Sequence, residues 1–246
     1  MSKFSLLEGR RLFAPCAISA LLVLGGCMAE KTPQFNSGSS QPAKPPSLPP
    51  VPPNAKTVAE ADPKNGEQHF NQHCSACHQI GGVGLPGLAP SIRNRDFLAI
   101  ADDDFIRKTI ALGRAGTPMV PRPDLKHNHV TEIIAYLRSI KVPNPPKLPA
   151  DLSRESKGDI ARGANHFQIY CASCHGPGGQ GYSAGGAGPG IGLPSFLAAA
   201  SDGYIYHTVK QGRAGTAMRS FNGADGLANL SDQDIDDIIV WLRRPQ

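Results

Sequence analysis

One short motif occurs twice in this chain and limits what it can fold into more than any other feature. Cys74-Ser75-Ala76-Cys77-His78 returns 97 residues later as Cys171-Ala172-Ser173-Cys174-His175. Two thiols three positions apart with an imidazole immediately after form the C-x-x-C-H pattern of covalent haem attachment. Each thiol adds across a haem vinyl group, and the histidine ligates the iron axially. A zinc site would need the two pairs to meet across more than ninety residues, with both adjoining histidines unexplained. A thioredoxin-like redox pair would need a βαβ pattern around it, and the sequence has none. The interval between the motifs implies two domains of under about a hundred residues each, and domains that small bury only a thin core. A covalently held apolar porphyrin would enlarge it.

The motifs account for four of the six cysteines; Cys16 and Cys27 lie in the first 27 residues, so no pair is left for a disulfide. The formal charge of +5 falls to +3 once residues 1–26 are removed with Lys3, Arg10, Arg11 and Glu8. No basic tract is long enough to suggest nucleic acid.

Residues 1–27 read as a secretory signal, with Lys3, Arg10 and Arg11 ahead of the apolar run 12–24. That run is short for a membrane span and is interrupted by Pro15, which argues against a retained anchor. Leu24-Gly25-Gly26-Cys27 resembles the bacterial lipobox, in which the cysteine is acylated and becomes the first residue. The resemblance implies an exported protein on the periplasmic side of a bacterial membrane, lipid-anchored through Cys27; ordinary cleavage is the alternative. Residues 28–62 hold Ser37-Gly38-Ser39-Ser40 and seven prolines between 42 and 53. The expectation there is an extended tether.

Two aligned copies follow, 63–141 and 155–246, joined by a proline-rich linker over 142–154. Gly66-Glu-Gln-His-Phe70 precedes the first motif as Gly163-Ala-Asn-His-Phe167 precedes the second. Phe97 to Ala101 matches Phe196 to Ala200. Gly113-Arg-Ala-Gly-Thr-Pro-Met119 matches Gly212-Arg-Ala-Gly-Thr-Ala-Met218. Ile133-Ile-Ala-Tyr-Leu-Arg138 matches Ile238-Ile-Val-Trp-Leu-Arg243. Asp62-Pro63 starts a helix, and Ser231 with Asp234 forms an imperfect capping box before Ile235, Ile238, Ile239 and Leu242 at helical spacing. No sustained alternation marks a strand, so the fold class is all-α.

From Gly66 to Ile140 and from Gly163 to Arg243 both copies resemble class I cytochrome c domains. The resemblance implies two tandem cytochrome c-like domains holding two covalently bound haem c groups on Cys74, Cys77, Cys171 and Cys174. It implies that Gly66 and Phe70 meet Tyr136, and that Gly163 and Phe167 meet Trp241. It also implies that Pro90 and Pro189 each offer a carbonyl to the preceding axial histidine. The sixth iron ligands are expected to be Met119 and Met218, opposite His78 and His175, because these are the only methionines beyond the leader and tether and recur at the same place. His69 and His166 recur too, on the helix before each motif, where they should point away. His73, His127, His129 and His207 do not recur and read as surface residues. Arg114 and Arg213 read equally as propionate partners or solvated loop residues.

With both irons saturated, the expected activity is transfer of single electrons between respiratory partners, not catalysis. The partners expected are a quinol dehydrogenase complex, a small soluble cytochrome or a terminal oxidase. The alternatives are a subunit of a larger quinol dehydrogenase or oxidase complex, and a dihaem peroxidase with a displaceable ligand. The first copy carries +3 and the second −1, with Asp232, Asp234, Asp236 and Asp237 clustered on the last helix. That cluster reads as a solvated helix face, or as a docking face for a basic partner.

Overall fold

Glycine in the first helix and an aromatic residue in the last decide how each copy closes. The computed structural model describes residues 48, 50–147 and 149–245. The leader, Cys27 and most of the tether lie outside the described residues. The first copy has five α-helices: α1 (Pro63–His73), α2 (Ser75–His78), α3 (Arg95–Ile100), α4 (Asp103–Leu112) and α5 (His127–Ser139). The second repeats them as α6 (Ile160–Tyr170), α7 (Ala172–His175), α8 (Pro194–Ala199), α9 (Asp202–Gln211) and α10 (Asp232–Arg243). Among the described residues there is no strand, only isolated bridges. No described helix is long and apolar enough to cross a membrane.

The helix starts follow local chemistry. Asp62 accepts from the Lys64 amide and is followed by Pro63, while Asp159 caps α6 through the Arg162 amide. α1 then crosses α5, and α6 crosses α10, at backbone contact. A Cβ on Gly66 would lie 1.8 Å from the Glu132 carbonyl oxygen, and one on Gly163 2.0 Å from that of Asp237. Only glycine permits this approach. One turn on, Phe70 packs on Tyr136 with ring centroids 5.4 Å apart, and Phe167 on Trp241 at 4.3 Å. Phe70 and Phe167 are fully buried, each contributing about 1.5–3 kcal/mol of apolar transfer energy.

The two copies form one compact unit. Their seam is built from equivalent residues of each. Phe105 of α4 stacks on Tyr204 of α9 at 4.2 Å, and these are the same position in the two copies. Around that stack, the Arg114 guanidinium lies 5.4 Å from the Phe196 ring and that of Arg213 lies 5.3 Å from Phe97, so each arginine rests on an aromatic of the other copy. The seam is therefore pseudo-twofold, with cation–aromatic pairs on both sides of a central aromatic stack.

Segments read as spacers also pack. Thr57 and Glu60 form a capping box on a short 3-10 turn (Val58–Glu60), and Val58 packs against the core. In the linker the Asn144 carbonyl accepts from Arg95 at 3.1 Å, Asp151 pairs with His207 at 2.7 Å, and Arg154 lies 3.6 Å over Tyr206 while binding Asp236 at 2.9 Å.

Candidate functional site: two repeated haem-attachment centres

Each C-x-x-C-H motif is a single helical turn hung from the end of the preceding helix. The His78 amide donates to the Cys74 carbonyl at 2.9 Å, and the His175 amide to the Cys171 carbonyl at 2.9 Å. After each histidine the chain reverses into a loop that returns a proline carbonyl to the ring. His78 Nδ1 is 3.0 Å from the Pro90 oxygen and His175 Nδ1 is 2.8 Å from that of Pro189. A carbonyl only accepts, so each Nδ1 carries the proton and each Nε2 keeps its lone pair. Burial pushes both imidazoles below their usual pKa, partly opposed by that proline bond. Neutral rings with a free Nε2 are what iron ligation requires. The contact forms in the second copy too, although its loop there is longer and glycine-rich.

The thiols fit the same use. Burial raises the Cys74 thiol to about 11 and the Cys171 thiol to about 12, so both remain neutral thiols in apolar surroundings. All four motif cysteines are free thiols. Ile80, Val83, Leu85 and Leu88 present exposed apolar surface on the loop that follows His78, a surface suited to an apolar ring. The residues present therefore fit a covalently held porphyrin.

The two methionine loops are the same structure. Arg114 N donates to the Met119 carbonyl at 2.6 Å, as Arg213 N does to that of Met218 at 2.5 Å. Thr117 Oγ1 bridges the Arg114 carbonyl and the Met119 amide at 2.8 and 3.1 Å. Thr216 Oγ1 does so for Arg213 and Met218 at 2.9 and 3.1 Å. Gly113 and Gly212 open the loops at φ of 60° and 71°, left-handed values that suit glycine.

Several side chains lie elsewhere than the sequence suggests. Arg114 and Arg213 are not solvated. Arg114 binds the Gly113 carbonyl and Thr109 Oγ1 at 2.9 and 2.7 Å, and burial pushes it down to about 10. Arg213 binds Tyr204 and Thr208 through Nη2, while its Nη1 is buried with no hydrogen-bond partner among the described residues. His207 is buried rather than superficial, because Asp151 of the linker supplies its partner. His73 lies against Arg122 Nη2 at 2.9 Å. His69 and His166 lie against the last helix of their own copy, paired with Glu132 at 3.3 Å and Asp234 at 3.1 Å.

Only Asp232 of the acidic cluster is exposed; Asp234 and Asp236 are half-buried, Asp237 is buried, and all four have partners within the protein. Asp232 pairs with Lys210, Asp234 closes the capping box with Ser231, and Asp236 takes Arg154 and Ser156. Asp237 is fully buried between the Asp159 amide at 2.7 Å and Arg162 at 2.9 Å. All four are spent inside the second copy and on the linker leading into it. Sequence reading also missed the seam; the signal available was an aromatic at 105 and 204, equivalent positions in the two copies.

The family model described as cytochrome C oxidase, cbb3-type, subunit III matches residues 61–137 and 158–242, one span in each copy. The cbb3-type cytochrome c oxidase subunit CcoP of Azospirillum sp. (strain B510) is 27% identical over 195 residues, which is 72% of this chain and 60% of that protein. Cytochrome c4 of Thiocapsa roseopersicina is 29% identical over 192 residues, 74% of this chain and 92% of that protein. Among solved structures, the Kuenenia stuttgartiensis reducing HAO-like protein complex is 18% identical with a TM-score of 0.42, covering 79% of this chain and 98% of that one. The chain thus spans about 60% of the length of the CcoP relative. With a family match in each copy, around each repeated motif, the chain belongs to the cbb3-type cytochrome c oxidase subunit III family: an all-α tandem cytochrome c with two covalently bound haem c groups.

Proposed function

We propose that the protein relays single electrons through two haems with His/Met ligation, tethered to a membrane surface. Cys74 and Cys77 hold the first haem and Cys171 and Cys174 the second, with His78 and Met119, and His175 and Met218, as axial iron ligands. The observation that carries this reading is the identity of the two methionine loops, down to the threonine that bridges each one. Two unrelated core methionines would have no reason to share it. When bound, each haem supplies a one-electron ferric/ferrous couple, and a thioether ligand raises its potential relative to a second imidazole.

The chain's own residues do the rest. The Pro90 and Pro189 carbonyls fix each imidazole's tautomer and orientation. The unpartnered Nη1 of Arg213 suits an anionic haem carboxylate. With a histidine and a methionine both assigned to it, each iron would keep no position open for a substrate, which favours a carrier over a peroxidase-like enzyme. Acylated Cys27 holds the protein on the periplasmic side, and residues 28–56 set its reach, with a ceiling of about 90 Å in the extended polyproline form.

The ligand test is spectroscopic. Replacing Met119 or Met218 singly is expected to remove half of the near-infrared sulfur-to-iron band of the oxidised protein and to lower one of two potentials. An unchanged band in both variants would exclude the assignment. Lipidation is tested by the intact mass of the membrane form, expected to show a chain from Cys27 with two haems and a lipid increment.

Family membership favours a second reading, that the chain works within a terminal oxidase complex rather than exchanging electrons with a quinol dehydrogenase and a small soluble cytochrome. Co-purification of an oxidase core with the tagged full chain supports the subunit; rapid exchange by the isolated chain supports the carrier.

A further inference from the structure

The seam between the copies is pseudo-symmetric in its aromatic stack and its arginines but not in its polar contacts. In the second copy, Ala214 lies in the loop that leads to Met218. Its amide donates to Asp96 Oδ2 at 2.5 Å, and its carbonyl accepts from Asn94 Nδ2 at 2.8 Å. Both partners belong to the first copy, at the start of α3. Asp96 is buried, and Asn94 is held in place because its Oδ1 caps α3 through the amides of Asp96 and Phe97 at 3.0 and 3.2 Å. One peptide segment is therefore gripped at both its donor and its acceptor.

The first copy's methionine loop has no such grip. The residues equivalent to Asn94 and Asp96 are Leu193 and Ser195, which offer no side chain of comparable reach and charge. Ser195 Oγ is buried without a hydrogen-bond partner among the described residues. No hydrogen bond from the second copy reaches Ala115, the counterpart of Ala214, among the described residues. What crosses instead is one long contact, Arg114 Nη1 to the Ser195 carbonyl at 3.4 Å.

The geometry points to Asn94 and Asp96 as positioning residues for the sixth ligand of the second haem: the first copy grips the Met218 loop by two backbone hydrogen bonds, and among the described residues only the long Arg114 contact and its packing on Phe196 cross from the Met119 loop. This rests on Met218 being the ligand. Two strong hydrogen bonds four residues before a ligating thioether raise the cost of swinging that loop away from the iron. Met218 therefore leaves its iron more slowly than Met119 does, and only the second centre depends on the neighbouring copy for that. Asp96 and Asn94 are not among the residues assigned to hold the haem, and their contacts run to Ala214 and to the start of α3, so they act through the loop.

The test uses the full dihaem protein, oxidised, with imidazole as the probe. Imidazole entry is limited by methionine departure, so the decay of the sulfur-to-iron band should resolve into a fast and a slow phase. Met218→Ala should remove the slow phase. If that substitution leaves the band intact, the ligand reading fails, and the positioning role falls with it. With the slow phase so assigned, the double variant Asn94→Ser/Asp96→Ser keeps a capping oxygen on α3 and removes both contacts to Ala214. The slow phase should accelerate by about ten- to a hundredfold, the scale of two lost hydrogen bonds of which one is to a carboxylate. The fast phase should stay as it was. Asp96→Asn, which keeps an acceptor for the Ala214 amide, should restore most of the parent rate.

Phe105→Leu loosens the aromatic stack without touching Ala214 and separates a local grip from general loosening of the seam. Equal acceleration by Phe105→Leu, or an unchanged slow phase in the double variant, overturns the inference. Should the double variant not assemble, Asp96→Ser alone is read by amide hydrogen exchange over residues 212–218. Exchange there should be about tenfold faster for one lost charge-assisted bond, and parent-like exchange overturns the proposal as well.

Discussion

The last helices of the two copies, α5 and α10, pack in the same place on the same glycine, yet they are fastened by different chemistry. α5 starts at Lys126 with no side-chain cap, and its link to α1 is the His69–Glu132 pair, with His69 stacked on His129 at 4.3 Å. α10 starts at a full capping box and sends four aspartates to four different partners. The glycine and aromatic positions fix the crossing, whereas the polar contacts answer to what each helix must hold. α10 must also bind the incoming linker, through Asp236 to Arg154, while Asp237 holds the Asp159 amide at the start of α6. Among the described residues, α5 faces no comparable segment of chain beyond the short turn at Val58. Conserving the geometry has not required conserving the charges.

The strongest challenge to that comparison is a methyl group at the crossing. Gly66→Ala and Gly163→Ala should cost about the same, more than about 3 kcal/mol each, because the obstacle is a backbone carbonyl that cannot move aside. Thermal unfolding of the dihaem protein, or loss of one haem per chain, checks this. A large difference between the copies would mean the crossings are not equivalent.

Next comes the buried acid. Asp237→Asn should destabilise the second copy by about 2–3 kcal/mol, less than a wholly enclosed pair because Arg162 is half-exposed. The corresponding Glu132→Gln should cost under about 1 kcal/mol, the range of a partly exposed pair. Denaturant midpoints for the two variants measure the contrast directly.

Acid should distinguish the copies for the same reason. Burial alone would raise the Asp237 carboxyl, but the Asp159 amide, Gln233 and Arg162 outweigh it and hold it below the usual carboxylate range. The Ser231 hydroxyl and amide, with His166, do the same for Asp234. Folded values below unfolded ones mean that this stability is fully present above about pH 4. It is lost as pH falls from there through the depressed values. The protection factors of the α10 amides, corrected for the intrinsic exchange rate at each pH, should therefore fall with acid in that window, and Asp237→Asn should flatten the dependence.

The smallest effects are at the caps. Ser231→Ala should cost about 1 kcal/mol, and Lys126→Ser should gain about 0.5 kcal/mol by giving α5 the cap it lacks. Equal responses to the two substitutions would show that the caps contribute nothing to the difference between the helices.

What was legible in the sequence was whatever the duplication wrote twice. The motifs, the glycine–aromatic pairs and the methionine loops each appear in register, and the helices form around them. What could not be read depends on how one copy sits on the other and on the linker. An aspartate on an amphipathic helix reads as solvated, and nothing near Asp237 in sequence announces that the Asp159 amide and Arg162 will enclose it. His207 reads as superficial until the linker brings Asp151 to it. Asn94 caps α3 through Oδ1, and nothing near it in sequence announces that its amide nitrogen crosses to the second copy.

The crossing of first and last helices also orders events in time. In each copy the residues that must touch, Gly66 with Glu132 and Gly163 with Asp237, stand at opposite ends of the domain's sequence. Closing such a loop costs chain entropy that is recovered only when the far end arrives. During synthesis, then, α1 emerges with its motif well before the helix that completes its packing. In that interval Cys74 and Cys77 belong to an open chain, reachable by whatever machinery joins them to haem, and the interval closes when α5 docks. The same sequence of events repeats for Cys171 and Cys174, so placing the thiols beside the first helix gives each copy a window for modification before its core is sealed.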